Sequence, residues 1–107
     1  MRKLELALTS LVVLLAVAGV AHAAATISQK GKMFQPDAIE VSVNEKVLLL
    51  NDDDVAHNVL VTAPGGATRN HGLQKPGEAA EIQLDKAGTF TVRCGIHPRM
   101  KLAITVK

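Results

Sequence analysis

Near the end of the chain, Cys94-Gly95-Ile96-His97-Pro98-Arg99-Met100 sets a thiol, an imidazole and a thioether three residues apart. Each alone has a bland explanation. Methionine fills core gaps and a single buried cysteine behaves as a small hydrophobe, while a loop histidine is ordinarily solvated or hydrogen-bonded. Their recurrence at a fixed short spacing, with a further imidazole at His57, is the pattern of a metal site built from nitrogen and soft sulfur donors. Cys94 is the only cysteine, so the chain can form neither an intramolecular disulfide nor a four-cysteine zinc or iron–sulfur centre.

The elements that must position these donors read as strands. Side chains two apart on a strand share a face, so Phe90, Val92 and Cys94 form one inward row, with Cys94 at its end. Met100, Leu102, Ile104 and Val106 form a second row headed by Met100, leaving Lys101, Ala103, Thr105 and Lys107 outward. His57, Val59 and Val61 form a third, with His57 at its entry. Three rows thus end in ligand-type residues, and His97 lies in the loop that covers them.

Alternation over Ile39, Val41 and Val43, a turn at Asn44-Glu45 and the apolar run Val47 to Leu50 predict a hairpin. That run suits a strand covered on both faces or one crossing between sheets. Further strands are expected at 57–62, 78–84, 89–94 and 101–106, with a weaker one near Thr26 to Ser28. Turn chemistry at Pro64-Gly65-Gly66, Lys75-Pro76-Gly77 and Lys86-Ala87-Gly88 separates several of them. Residues 63–77 carry no readable pattern. Six or seven short strands without an amphipathic helix predict an all-β fold, a Greek-key β-sandwich or barrel.

Two imidazoles, one thiolate and a weak thioether are the His₂Cys plus axial Met set of a blue-copper electron-transfer site. Zinc does not select the methionine. The expected cofactor is one type 1 copper per chain. Cys94 with His97 is not read as a catalytic pair, because an inward thiol beside Met100 offers no substrate cleft or oxyanion site. No enzyme activity is expected.

The same residues resemble the cupredoxin family, and the C-x-x-H-P-x-M loop is most similar to the amicyanin branch. Met33-Phe34-Gln35-Pro36, the segment Asn51 to Asp54, His57-Asn58-Val59 and Gly88-Thr89-Phe90 extend the likeness over nearly all of the chain after its first two dozen residues. The resemblance implies that His57, Cys94 and His97 bind copper with Met100 as weak axial ligand. It also implies that Asn58 ties its strand to the cysteine loop, and that His97 is the electron port. Leu49 and Val92 stand where aromatic residues are common, Leu102 replaces a glycine, and Arg99 enters the ligand loop. Ile96, Pro98 and Arg99 are the expected docking surface. Arg93 and Lys101, outward by parity, could favour an acidic partner there, and Asp52, Asp53 and Asp54 read as a polar turn. His71 reads as a solvated side chain.

Length and charge set the frame. The 107 residues suffice for one domain, with 12 Lys plus Arg against 10 Asp plus Glu, far from the basic footprint of a nucleic-acid binder. Arg2 and Lys3, an uncharged stretch from Leu6 to Ala25 and the small-x-small triplet Ala21-His22-Ala23 read as a secretory signal peptide at 1–23. The single domain is then 24–107, periplasmic, with no membrane span after cleavage, and the family is generally monomeric. The expected function is a soluble carrier passing single electrons between redox proteins, a donor dehydrogenase and an acceptor cytochrome. The alternative is copper delivery, storage or tolerance, which the scarcity of His and Met after residue 23 disfavours.

Overall fold

A computed structural model describes residues 25–107, and the expected signal peptide lies outside them. Nine strands make up the described chain: β1 (Ala25–Lys30), β2 (Met33–Gln35), β3 (Ala38–Val41), β4 (Lys46–Asn51), β5 (His57–Thr62), β6 (Thr68–Gln74), β7 (Ala79–Gln83), β8 (Gly88–Arg93) and β9 (Lys101–Val106). They form two sheets, β2-β1-β4-β7 and β3-β9-β8-β5-β6. β1 runs parallel to β4, and β3 parallel to β9. Among the described residues no helix is long and apolar enough to cross a membrane.

The expected hairpin between residues 39–43 and 46–51 does not form, because β3 and β4 belong to different sheets. After Val41 the chain crosses the sandwich. The Ser42 N–H donates to Glu45 Oε1 at 2.6 Å, and Asn44, at φ 66°, turns so that its N–H reaches Leu84 O on the far layer at 2.8 Å. Val43 therefore leaves the inward row and is 37% exposed. In β4 the apolar run is neither covered on both faces nor crossing between sheets: Val47, Leu49 and Asn51 point inward while Leu48 and Leu50 are half-buried.

The three rows behave as strand parity dictates. Val59, Val61, Phe90, Val92, Leu102, Ile104 and Val106 are buried and meet Ile27, Val47, Leu49 and Ile82 of the opposite sheet. Two strands escape the hydrophobic pattern. β2 is three residues long, and β6 lies inside the unread 63–77 segment, paired antiparallel with β5 at the sheet edge and exposed along all but Gln74. A solvated edge strand has no apolar face to alternate, so its sequence looks like loop.

Candidate metal centre

Above the apolar core, at one end of the sandwich, the inward rows turn polar. Gln29, Asn51 and Gln74 are all buried. Gln29 Nε2 donates to Gln74 Oε1 at 2.8 Å, and Gln74 Nε2 donates to Leu49 O at 3.0 Å. Asn51 Nδ2 donates to Gln74 O and Val55 O, while Asn51 Oδ1 accepts the Asp53 N–H at 3.0 Å. Buried amides are tolerated when paired in this way, and of this layer only Gln29 Oε1 is left without a partner. Here they fasten the 52–56 loop onto both sheets, directly before His57.

His57 opens β5 and is fully buried. Cys94 follows the last residue of β8 and is 1% exposed, and Met100 precedes β9 and is equally enclosed. Between them the loop makes a tight turn closed by the Met100 N–H donating to His97 O at 3.0 Å, which folds the half-buried His97 back over the others. Cys94 Sγ lies 3.7 Å from His57 Nδ1 and 3.8 Å from His97 Nδ1, and the two Nδ1 atoms are 3.0 Å apart. Within this group of His57, Cys94 and His97 the ligand atoms all lie within 4.8 Å of one another.

Asn58 links the two ligand segments. Its Oδ1 accepts the Gly95 N–H at 2.6 Å, and its own N–H points at Cys94 Sγ at 3.4 Å. Gly95 lies so close that a Cβ there would meet Asn58 Nδ2 and Leu60 Cδ1 at 3.3 Å.

One residue of the site was not foreseen in its role. Asp53, expected as part of a polar turn, accepts from His57 through Oδ2 at a 2.9 Å separation from Nε2. The same carboxylate accepts the Gly31 N–H at 3.2 Å and the Lys32 N–H at 2.8 Å. The Lys32 amide is the largest influence holding its pKa down at about 2, against a smaller opposing effect of burial, with His57 and Gly31 adding to the lowering. The i, i+4 spacing of Asp53 and His57 is visible in the sequence, but nothing in it reveals that the loop curls back.

His71 stands apart, exposed on β6, and burial followed by the Arg69 charge lowers its pKa. Ile96, Pro98 and Arg99 are all exposed around His97.

Two imidazole nitrogens and a thiol sulfur converging within 4.8 Å, with a buried methionine three residues beyond His97, fit copper by donor chemistry. Residues 21–107 match the profile of copper-binding proteins of the plastocyanin/azurin family. The chain belongs to that family. As a cupredoxin it is a member of a copper-binding family.

Among its relatives is the methylamine utilization protein MauL of Methylophilus methylotrophus, 32% identical over 75 residues, covering 68% of this chain and 43% of that one. MauL of Methylorubrum extorquens is 28% identical over 72 residues, covering 67% of this chain and 63% of that one. The cupredoxin thus spans less than two thirds of either relative. A Cu(I) form of an amicyanin variant superimposes with a TM-score of 0.73 at 26% identity, covering 87% of this chain and 90% of amicyanin. A purple cupredoxin from Nitrosopumilus maritimus shares the fold, with a TM-score of 0.69 at 23% identity over 78% of this chain and 99% of that one.

Proposed function

We propose that the cupredoxin is exported to the periplasm after loss of residues 1–23, leaving one domain at 24–107 that carries single electrons between redox proteins through one type 1 copper. His57 and His97 would bind through Nδ1 and Cys94 through Sγ, with the thioether of Met100 as a weaker fourth donor. The observation that carries this reading is the convergence of both Nδ1 atoms and the sulfur within 4.8 Å in a protein of a copper-binding family. Copper, when bound, supplies one-electron exchange between Cu(II) and Cu(I).

The chain's own residues suit that task. Thiolate and thioether favour Cu(I) while two imidazoles keep Cu(II) accessible. Fixing His57, Cys94 and Met100 at strand ends, with His97 in the short loop between two of them, limits the rearrangement per electron. His57 is sealed and His97 is half-buried, so the ring of His97 is the port through which an electron leaves. Around it, Ile96 and Pro98 offer apolar contact and Arg99 a charge. The partners proposed are a donor dehydrogenase and an acceptor cytochrome, and similarity to proteins named for methylamine utilization supports amine oxidation as the setting.

The test is visible absorption of the purified protein with one equivalent of Cu(II), before and after ascorbate, beside Cys94→Ser. An intense thiolate-to-copper band that bleaches reversibly, and is missing from the variant, is expected. A colourless protein that still binds Cu(I) tightly would replace the carrier reading with copper delivery or storage.

A further inference from the structure

We propose that Asp53 is an anionic positioning residue that orients His57 for the metal through Nε2 and biases the centre toward its oxidised state. The proposal rests on the reading of His57 as a ligand and extends it to a residue one loop away.

Three donors meet on this one carboxylate. Oδ1 accepts from Gly31, and Oδ2 accepts from both Lys32 and His57. The two backbone donors come from the turn between β1 and β2, where Gly31 and Lys32 both have positive φ, 62° and 58°. That is the left-handed pair expected of a two-residue hairpin turn. It leaves both N–H groups turned to one side, and Asp53 occupies that side.

From behind, the Asp53 N–H is held by Asn51 Oδ1, and Asn51 is itself anchored to Gln74 O and Val55 O. The carboxylate is therefore fixed by two strand systems before it touches His57. An ionised carboxylate only accepts, so the neutral His57 ring must carry its proton on Nε2 and present a lone pair on Nδ1. Nδ1 is the atom that faces Cys94 Sγ and His97 Nδ1. With no exposure of its own, His57 has no bulk solvent to supply a different partner.

Two consequences follow. The ring is held in its ligating orientation without the metal, since a buried N–H that lost Asp53 would be left unsatisfied. The negative charge held 2.9 Å from Nε2 also lies on the far side of a ring that would bind the metal, and a nearby anion stabilises the more highly charged Cu(II) over Cu(I). Asp52 and Asp54, both exposed, lack this arrangement, and Asp52 instead accepts from Ser28 Oγ at 2.6 Å.

The experiment has two arms on the purified protein. In the metal-free state, nitrogen-15 NMR of His57 is expected to show a protonated Nε2 with a downfield, exchange-protected proton, which Asp53→Ala loses. In the copper-loaded state, Asp53→Asn, close to isosteric but uncharged, is expected to shift the reduction potential upward while the visible thiolate band persists. A wild-type His57 protonated on Nδ1, or an Asp53→Asn potential equal to that of the wild type, would overturn the proposal. A wild-type protein that takes up no copper would sink the proposed function instead, and the NMR arm would still judge Asp53.

Discussion

Asn58 serves both ligand segments, with its Oδ1 on the Gly95 N–H and its N–H on Cys94 Sγ. Removing the side chain leaves the second contact, which is backbone, and deletes the first. Gly95 lies on the exposed side of the loop, so water can replace the lost acceptor and the net cost to folding should be about 1 kcal/mol. Copper binding should suffer more, because the loop that presents Cys94 and His97 loses its tether. Partners that orient metal ligands typically matter by about 10–100-fold in affinity. Asn58→Ala is therefore expected to weaken copper affinity by about that factor while lowering the metal-free melting temperature by about 4–8 °C, as competition with a chromophoric chelator and a thermal scan would measure.

Among the strands, the tightest approach is between β8 and the loop after β5. Gly88 has φ 135°, and a Cβ there would sit 2.5 Å from Pro64 Cγ, a ring atom that cannot swing away. Gly88→Ala should destabilise by more than ~1 kcal/mol, since both the backbone conformation and the space oppose it. A lowered denaturation midpoint at unchanged slope checks this. The effect belongs to the end of the sandwich remote from the ligands, so the visible band of folded protein should be unaltered. On the neighbouring edge, His71 has its pKa lowered first by burial and then by Arg69. The unfolded chain then binds more protons than the native one as pH falls below about 6.5, so stability should decline as pH drops through that value. Arg69→Gln is expected to raise the His71 titration midpoint only in part, because the larger cause remains; NMR of the His71 ring protons reads it.

How far these elements could be read in advance depended on whether a strand faced a core. β5, β8 and β9 alternate apolar and polar residues, so their inward rows and the placement of His57, Cys94 and Met100 at the row ends followed from parity alone. β6 has almost no buried residue, and the link between Val41 and Lys46 has the composition of a hairpin turn although it crosses between sheets. Pairing partners are set by long-range contacts that a local pattern does not contain. The polar layer of Gln29, Asn51 and Gln74 was hidden for the same reason. Each residue looks solvated until its partner from another strand is known, and Asp53 gained its meaning only from the turn 22 residues before it.

At the scale of the whole molecule, charge is nearly balanced, with 12 basic and 10 acidic side chains, so any electrostatic steering must be local. At the ligand end three cations gather on the side of the Cys94–Met100 loop, while the exposed Asp52 and Asp54 lie in the loop before His57. Arg93 and Lys101 face each other directly across β8 and β9, both exposed, and Arg99 lies in the intervening loop. Like charges directly opposed on a sheet are unfavourable, and no acidic side chain in the described residues pairs with these three. Two copies meeting port to port would bring six cations together. Electron self-exchange between the Cu(I) and Cu(II) forms should therefore be slow at low salt and accelerate as added ions shorten the Debye length toward ~8 Å. Arg99→Ala should raise the low-salt rate and flatten its salt dependence, as NMR line broadening of mixed redox forms would report. Lys86→Ala, on an exposed loop at the other end, should change neither. An acidic partner docked on the same face reverses the sign, since the cations that repel a second copy attract it. With such a partner, added salt and Arg99→Ala should both slow transfer, whereas rates indifferent to both would leave Ile96 and Pro98 as the contact surface.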